Sequence, residues 1–164
     1  MTLNQFQTKY KITERCCFSG HRIIASDELF SLKDRLTAEL ENLINRGVVV
    51  FIAGGALGFD TLAAQTVLKL KGKYPFVKLV LALPCKEQDA RWKDKDKEVY
   101  EDILRRADLV HYVNESYTPS CMRSRNDYMV EWAEYCMCYL RCDNGGTYYT
   151  VTRAKRLGKE LIRL

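Results

Sequence analysis

The sequence has no uncharged apolar run close to the roughly 20 residues that a membrane-spanning helix needs. Its longest candidate, Val48 to Phe59, is broken by glycines, so no membrane partner is expected. Met1 to Arg15 has neither the apolar core nor the small-residue cleavage pattern of a secretory leader, and the cytoplasm is the expected compartment. A disulfide framework is missing too. The seven cysteines are an odd number, Cys16 and Cys17 are adjacent, and Cys136, Cys138 and Cys142 crowd one segment. Cys136 and Cys138 fall on one face of a strand, but no fourth ligand follows at zinc spacing, so buried thiols are expected and no metal. There is no internal repeat and no basic tract interleaved with aromatics, which weighs against a nucleic-acid coat. What is present is 164 residues, 47% hydrophobic and 29% charged, enough for one globular core. The net charge of +5 favours an anionic ligand.

Hydrophobic periodicity alternates along the chain. Arg15 to Phe18 reads as a short buried strand ending at Ser19-Gly20. Leu29, Leu32, Leu36, Leu40 and Leu43 make a helical stripe, with Ser26 as its expected cap and Gly47 as its end. Val48 to Ala53 is apolar throughout, as in a parallel strand covered on both faces. A helix to about Gly72, a strand at Lys78 to Leu83, a charged helix with Val99, Ile103 and Leu104 on one side, and a strand at Leu109 to Val113 follow. Met122 to Trp132 reads as helix, Cys136 to Leu140 as strand, and a last helix and strand end the chain. This alternation predicts an α/β fold with a doubly wound, mainly parallel sheet in a single domain spanning 15–164, preceded by a polar arm at 1–14. Ligands in such sheets lie beyond the carboxyl ends of the strands. The loops after the first, second and fifth strands should therefore gather on one rim.

Those loops carry the candidate chemistry. Gly54-Gly55-Ala56-Leu57-Gly58 joins the strongest strand to a helix, where amides without bulky side chains can approach a phosphate. Its glycine order matches neither the dinucleotide fingerprint nor a P-loop, which would add a Lys-Ser/Thr pair. Asp60 would repel phosphate and suits a helix cap or a ribose-hydroxyl acceptor. Gly145-Gly146-Thr147 repeats the arrangement at a second helix start, and each loop also reads as an ordinary tight turn. Ser19-Gly20-His21-Arg22 follows the first strand, with Arg22 suited to phosphate and His21 able to donate, accept or stack. Arg125 and Asn126, near a helix start, suit ligand charge and a base or sugar. His111 sits in an apolar strand pattern and is expected to be structural, and neither histidine is linked in sequence to a cysteine by a nucleophile motif.

Taken in order, Cys17-Phe18-Ser19-Gly20-His21-Arg22, Ala53-Gly54-Gly55-Ala56-Leu57-Gly58-Phe59-Asp60, Arg125-Asn126-Asp127-Tyr128-Met129-Val130 and Gly145-Gly146-Thr147-Tyr148-Tyr149-Thr150-Val151 resemble the SLOG superfamily, in particular its small stand-alone YpsA-like branch. Pro84, Gln88 and Trp92 fit the same branch. The resemblance runs from about Cys16 to the C-terminus. It implies a Rossmann-like nucleotide-binding fold, whose members bind ADP-ribose-type signals, cleave cytokinin nucleotides or handle DNA, and often self-associate. The cytokinin-activating branch carries P-G-G-x-G-T-x-x-E. Here Asn144-Gly145-Gly146-Thr147-Tyr148-Tyr149-Thr150 lacks the later glycine and the glutamate. The leading expectation is sensing or sequestering of a nucleotide-derived small molecule, ADP-ribose-like in type, with no resident cofactor and no assigned catalytic residue. N-glycosidic cleavage of a nucleotide and single-stranded DNA binding stay open as alternatives.

Overall fold

A computed structural model describes residues 1–10 and 14–164 of the chain. Six strands form one sheet: β1 (Arg15–Gly20), β2 (Val50–Ala53), β3 (Lys78–Leu83), β4 (Leu109–Tyr112), β5 (Tyr135–Tyr139) and β6 (Glu160–Arg163). Every neighbouring pair is parallel, and the spatial order is β4-β3-β2-β1-β5-β6. The chain thus steps outward from β1 to β4, then returns through a helix to lay β5 on the other side of β1. This is the expected Rossmann-like, doubly wound single domain.

Six helices connect the strands: α1 (Leu3–Tyr10), α2 (Leu29–Asn45), α3 (Phe59–Leu70), α4 (Asp94–Arg106), α5 (Cys121–Trp132) and α6 (Gly145–Arg156). The period-2 alternation of the strands sorts the core into two layers. Cys16, Phe18, Phe51, Leu79, Leu81 and Met137 pack with Leu32, Leu36, Leu40 and Leu43 of α2 and with α3 and α4. Cys17, Val50, Ile52, Val80, Cys136 and Cys138 face α5 and α6, and Phe6 of α1 joins them. The polar N-terminal segment therefore contributes a helix and a buried ring; residues 11–13 of that segment lie outside the described residues.

Three details differ from the sequence reading. The α2 stripe begins at Leu32, because Leu29 at the first helical position is exposed. Ser26 does not cap α2; Glu28 occupies that position without a side-chain cap bond, its carboxylate accepting instead from Tyr139 and Arg141. The strand β2 begins at Val50, two residues later than the apolar run, although Val48 is fully buried and the Val49 carbonyl already accepts from the Lys78 amide at 2.8 Å. Among the described residues no helix is long and apolar enough to cross a membrane.

Candidate functional site

Because the sheet is parallel, the loops after β1, β2 and β5 emerge at one edge. The strand order reverses between β1 and β5, whose ends run level, with Ser19 opposite Cys138 and Gly20 opposite Tyr139. Diverging connections at such a point leave a crevice. A cavity of about 370 Å³ opens there. Its wall combines Phe18, Ser19, Gly20, His21 and Arg22 from β1 and its loop, and Ala56 and Asp60 from the β2–α3 connection. Met122, Arg125 and Asn126 from α5, with Gly146 and Thr147 from the start of α6, complete it. Nine of the residues singled out in the sequence, scattered over more than 120 positions, line this one hollow.

Gly54, Gly55, Gly58 and Gly145 stand outside that lining. Gly58 has φ +77°, and a Cβ there would run into the Arg22 backbone. Its bareness lets the β2 loop lie against the β1 loop, where the Phe59 amide donates to the His21 carbonyl at 3.0 Å. Gly55, at φ +69°, would bring a Cβ within 2.6 Å of Leu83. These positions require close backbone approach, which shapes the cavity from behind. Gly145 is the first residue of α6, at whose start Gly146 and Thr147 present helix-terminal amides to the cavity.

The electrostatic centre is a buried pair of opposite charges. Arg125 is 4% and Asp60 7% exposed. Arg125 Nη1 donates to the Gly54 carbonyl and, at 3.5 Å, to Gln88 Oε1, while its Nε donates to Asn126 Oδ1 at 2.8 Å. Gln88, also buried, donates through Nε2 to the Gly55 carbonyl at 2.7 Å. Two side chains thus hold two consecutive carbonyls of the glycine loop. Burial pushes the Arg125 pKa down, and the Asp60 charge opposes that shift. Asp60 Oδ2 accepts from the Ala56 amide at 3.1 Å, whereas Oδ1 is buried with no hydrogen-bond partner. Burial raises the Asp60 pKa, against the pull of Arg125 and the loop amides. An unpaired buried carboxylate oxygen is costly, and here it belongs to a residue on the cavity wall.

The other side of the cavity is organised around His21. Its Nε2 accepts from the Arg141 amide at 2.8 Å, which places the proton of the neutral ring on Nδ1. The exposed Cys142 thiol lies 3.8 Å from the same nitrogen. No sequence motif linked the two; the level ends of β1 and β5 bring them together. Arg141 also donates to Glu28 Oε1 at 3.1 Å and to the Leu164 carbonyl at 3.0 Å. Arg141 and the loop-holding role of Gln88 escaped the sequence reading. Gln88 was visible only as part of a family-like segment, and Arg141 only through the register of β5. His111 stacks on Tyr128 with ring centres 5.0 Å apart, outside the cavity lining, and burial lowers its pKa. Cys136 and Cys138 are buried, and burial pushes the Cys138 thiol up to about 12.

Comparison with known proteins agrees with this architecture. The chain is 35% identical over 151 residues to an uncharacterized SPbeta prophage-derived protein, YoqJ, of Bacillus subtilis (strain 168), covering 83% of this chain and 88% of that one. It is 31% identical over 158 residues to a UPF0398 protein of Halalkalibacterium halodurans, covering 93% and 81%. Among solved structures it is similar to DNA processing protein A from Streptococcus pneumoniae, with TM-score 0.65 and 19% identity over 94% of this chain; it spans about half of that protein, 50%. DNA processing protein A from Helicobacter pylori is similar at TM-score 0.66 and 16% identity, covering 95% of this chain and 67% of that one. At such identities the likeness is one of fold. The profile of the YspA SLOG family matches residues 7–161, nearly the whole chain, and the protein belongs to that family.

Proposed function

We propose that the chain binds a nucleotide-derived small molecule in the cavity between β1 and β5, and acts by sensing or sequestering it. The observation that carries this reading is Asp60, a wall residue whose buried Oδ1 has no partner, in a cavity that also offers donors from Arg22 and the start of α6. A ribose hydroxyl supplies the hydrogen bond it lacks. Arg22 and the free amides at the start of α6 supply the matching interactions for phosphate. Arg125 is engaged with the glycine loop and contributes charge from behind it. Among the described residues Asp60 is the one carboxylate on this wall, and it is half committed to the Ala56 amide, an arrangement that favours holding a ligand over cleaving it.

Isothermal calorimetry of the purified protein against a panel of nucleotides and nucleoside diphosphate sugars tests the reading. Binding of at least one phosphate-bearing member, weakened in Asp60→Asn, is expected; failure of every member with well-folded protein overturns it. Chromatographic release of free base from a bound nucleotide replaces sequestering with N-glycosidic turnover. A second reading takes its support from the +5 charge and from the Helicobacter pylori protein, whose structure is described as showing a single-stranded DNA binding mode. In that reading DNA lies along the same rim, and log affinity falls steeply with log salt concentration.

A further inference from the structure

A second hollow of about 480 Å³ lies beside the first, and Arg22 and Met122 line both. The remainder of its wall has a different chemistry: Leu57, Trp92 and Tyr117 give it apolar and aromatic surface, and Glu87 and Arg91 bring one charge of each sign. We infer that this hollow is a nucleobase subsite. The ligand is then a two-ended molecule whose heteroaromatic ring sits by Trp92 and Tyr117, whose phosphates pass Arg22, and whose sugar reaches Asp60. The inference rests on the proposed function of the first cavity and adds the second half of its ligand.

Trp92 is half-buried and packs edge-on against Tyr100, with ring centres 5.1 Å apart and planes at 69°. Tyr100 is itself only 6% exposed, so the indole is held by core packing. Tyr117 is 65% exposed, a large aromatic ring with little packing of its own. Planar rings with π faces stack on such surfaces, and a guanidinium at the shared wall meets the anionic linker between the two ends. The two hollows also share their support. Gln88 lines the second one, yet its amide donates to the Gly55 carbonyl and it accepts from Arg125, which lines the first. A ring seated on Trp92 therefore rests on the same scaffold that shapes the sugar-phosphate end. Each volume lies within the roughly 300–1,000 Å³ usual for ligand pockets. A sugar phosphate engages the first alone, whereas a base-diphosphate-sugar fills both.

Calorimetry with ribose 5-phosphate and ADP-ribose as probes separates the possibilities, using wild type, Trp92→Ala and the exposed-site variant Tyr117→Ala. Wild type should bind ADP-ribose at least about tenfold more tightly than ribose 5-phosphate, the scale of one stacked base. Either aromatic variant should lose that advantage and leave ribose 5-phosphate affinity unchanged. Tyr117→Ala carries the test if Trp92→Ala fails to fold. Equal affinity for the two probes, or full retention of ADP-ribose binding in a folded variant, overturns the base subsite while leaving the first cavity's function intact. Failure of both probes overturns the base subsite, and failure of the whole nucleotide panel overturns the first cavity's function as well. Steeply salt-dependent binding of a short oligothymidylate that excludes ADP-ribose, and is lost in Tyr117→Ala, overturns the inference in favour of nucleic acid.

Discussion

Asp60 shows how one residue can be both legible and ambiguous. Its type and its place after a glycine loop marked it as a cap or a hydroxyl acceptor, but the division of labour between its two oxygens depends on where the Ala56 amide and the cavity lie. Burial raises its pKa above the usual aspartate range. A ligand hydroxyl donating to Oδ1 favours the ionised form, so binding lowers that pKa and releases a proton. Affinity should then be constant above the raised pKa and fall as pH drops through it, which calorimetry across a pH series measures. Asp60→Asn should flatten the profile and weaken binding by about tenfold, the scale of one charge-assisted hydrogen bond. Gly58 makes a separate prediction. Its positive φ and its contact with the Arg22 backbone leave no room for a side chain. Gly58→Ala should cost about 2 kcal/mol in denaturant unfolding.

At the scale of elements, the helices and strands were readable wherever periodicity reported burial. Leu32, Leu36, Leu40 and Leu43 are each 0% exposed, and Leu36→Ala should cost about 3 kcal/mol by loss of transfer energy and creation of a cavity. Element ends were less readable because they are set by distant partners. Glu28 leaves the α2 cap unmade to accept from Tyr139 of β5 and from Arg141. The Tyr139 hydrogen bond, then Arg141, hold its pKa below the usual glutamate range. The sign follows: an acid whose folded pKa is lowered adds stability that is present above the unfolded pKa and is lost as pH falls through the folded one. Glu28→Gln should therefore reduce the acid dependence of the melting temperature in that window, as thermal scans at several pH values would record.

For the whole molecule, ligand and fold are linked, because the cavity wall is drawn from segments that meet only in the native state. A ligand at about 100 times its Kd should add about 2.7 kcal/mol of stability, read as a rise of several degrees in the thermal midpoint. At equal concentration the same ligand stands at about 10 times the weakened Kd of Asp60→Asn, so its stabilisation of that variant should fall to about 1.4 kcal/mol, roughly half the wild-type shift. Such coupling is a property of convergence between loops, and no single motif predicts its size.

The amino-acid order by itself determined the alternation of strand and helix, the parallel sheet and the identity of most residues on its rim. Hydrophobic spacing and glycine placement are local quantities, and an all-parallel sheet sends every strand-to-helix loop to one edge. Only the tertiary structure decided which of those residues face the cavity and which stand behind it. It turned Gly54, Gly55 and Gly58 into close-approach positions, engaged Arg125 with a loop carbonyl, and set Cys142 beside His21. It also placed Trp92 and Tyr117 in a hollow that shares a wall with the first. Those outcomes depend on contacts between segments far apart in the chain, whose distances and orientations are fixed by sheet register and core packing.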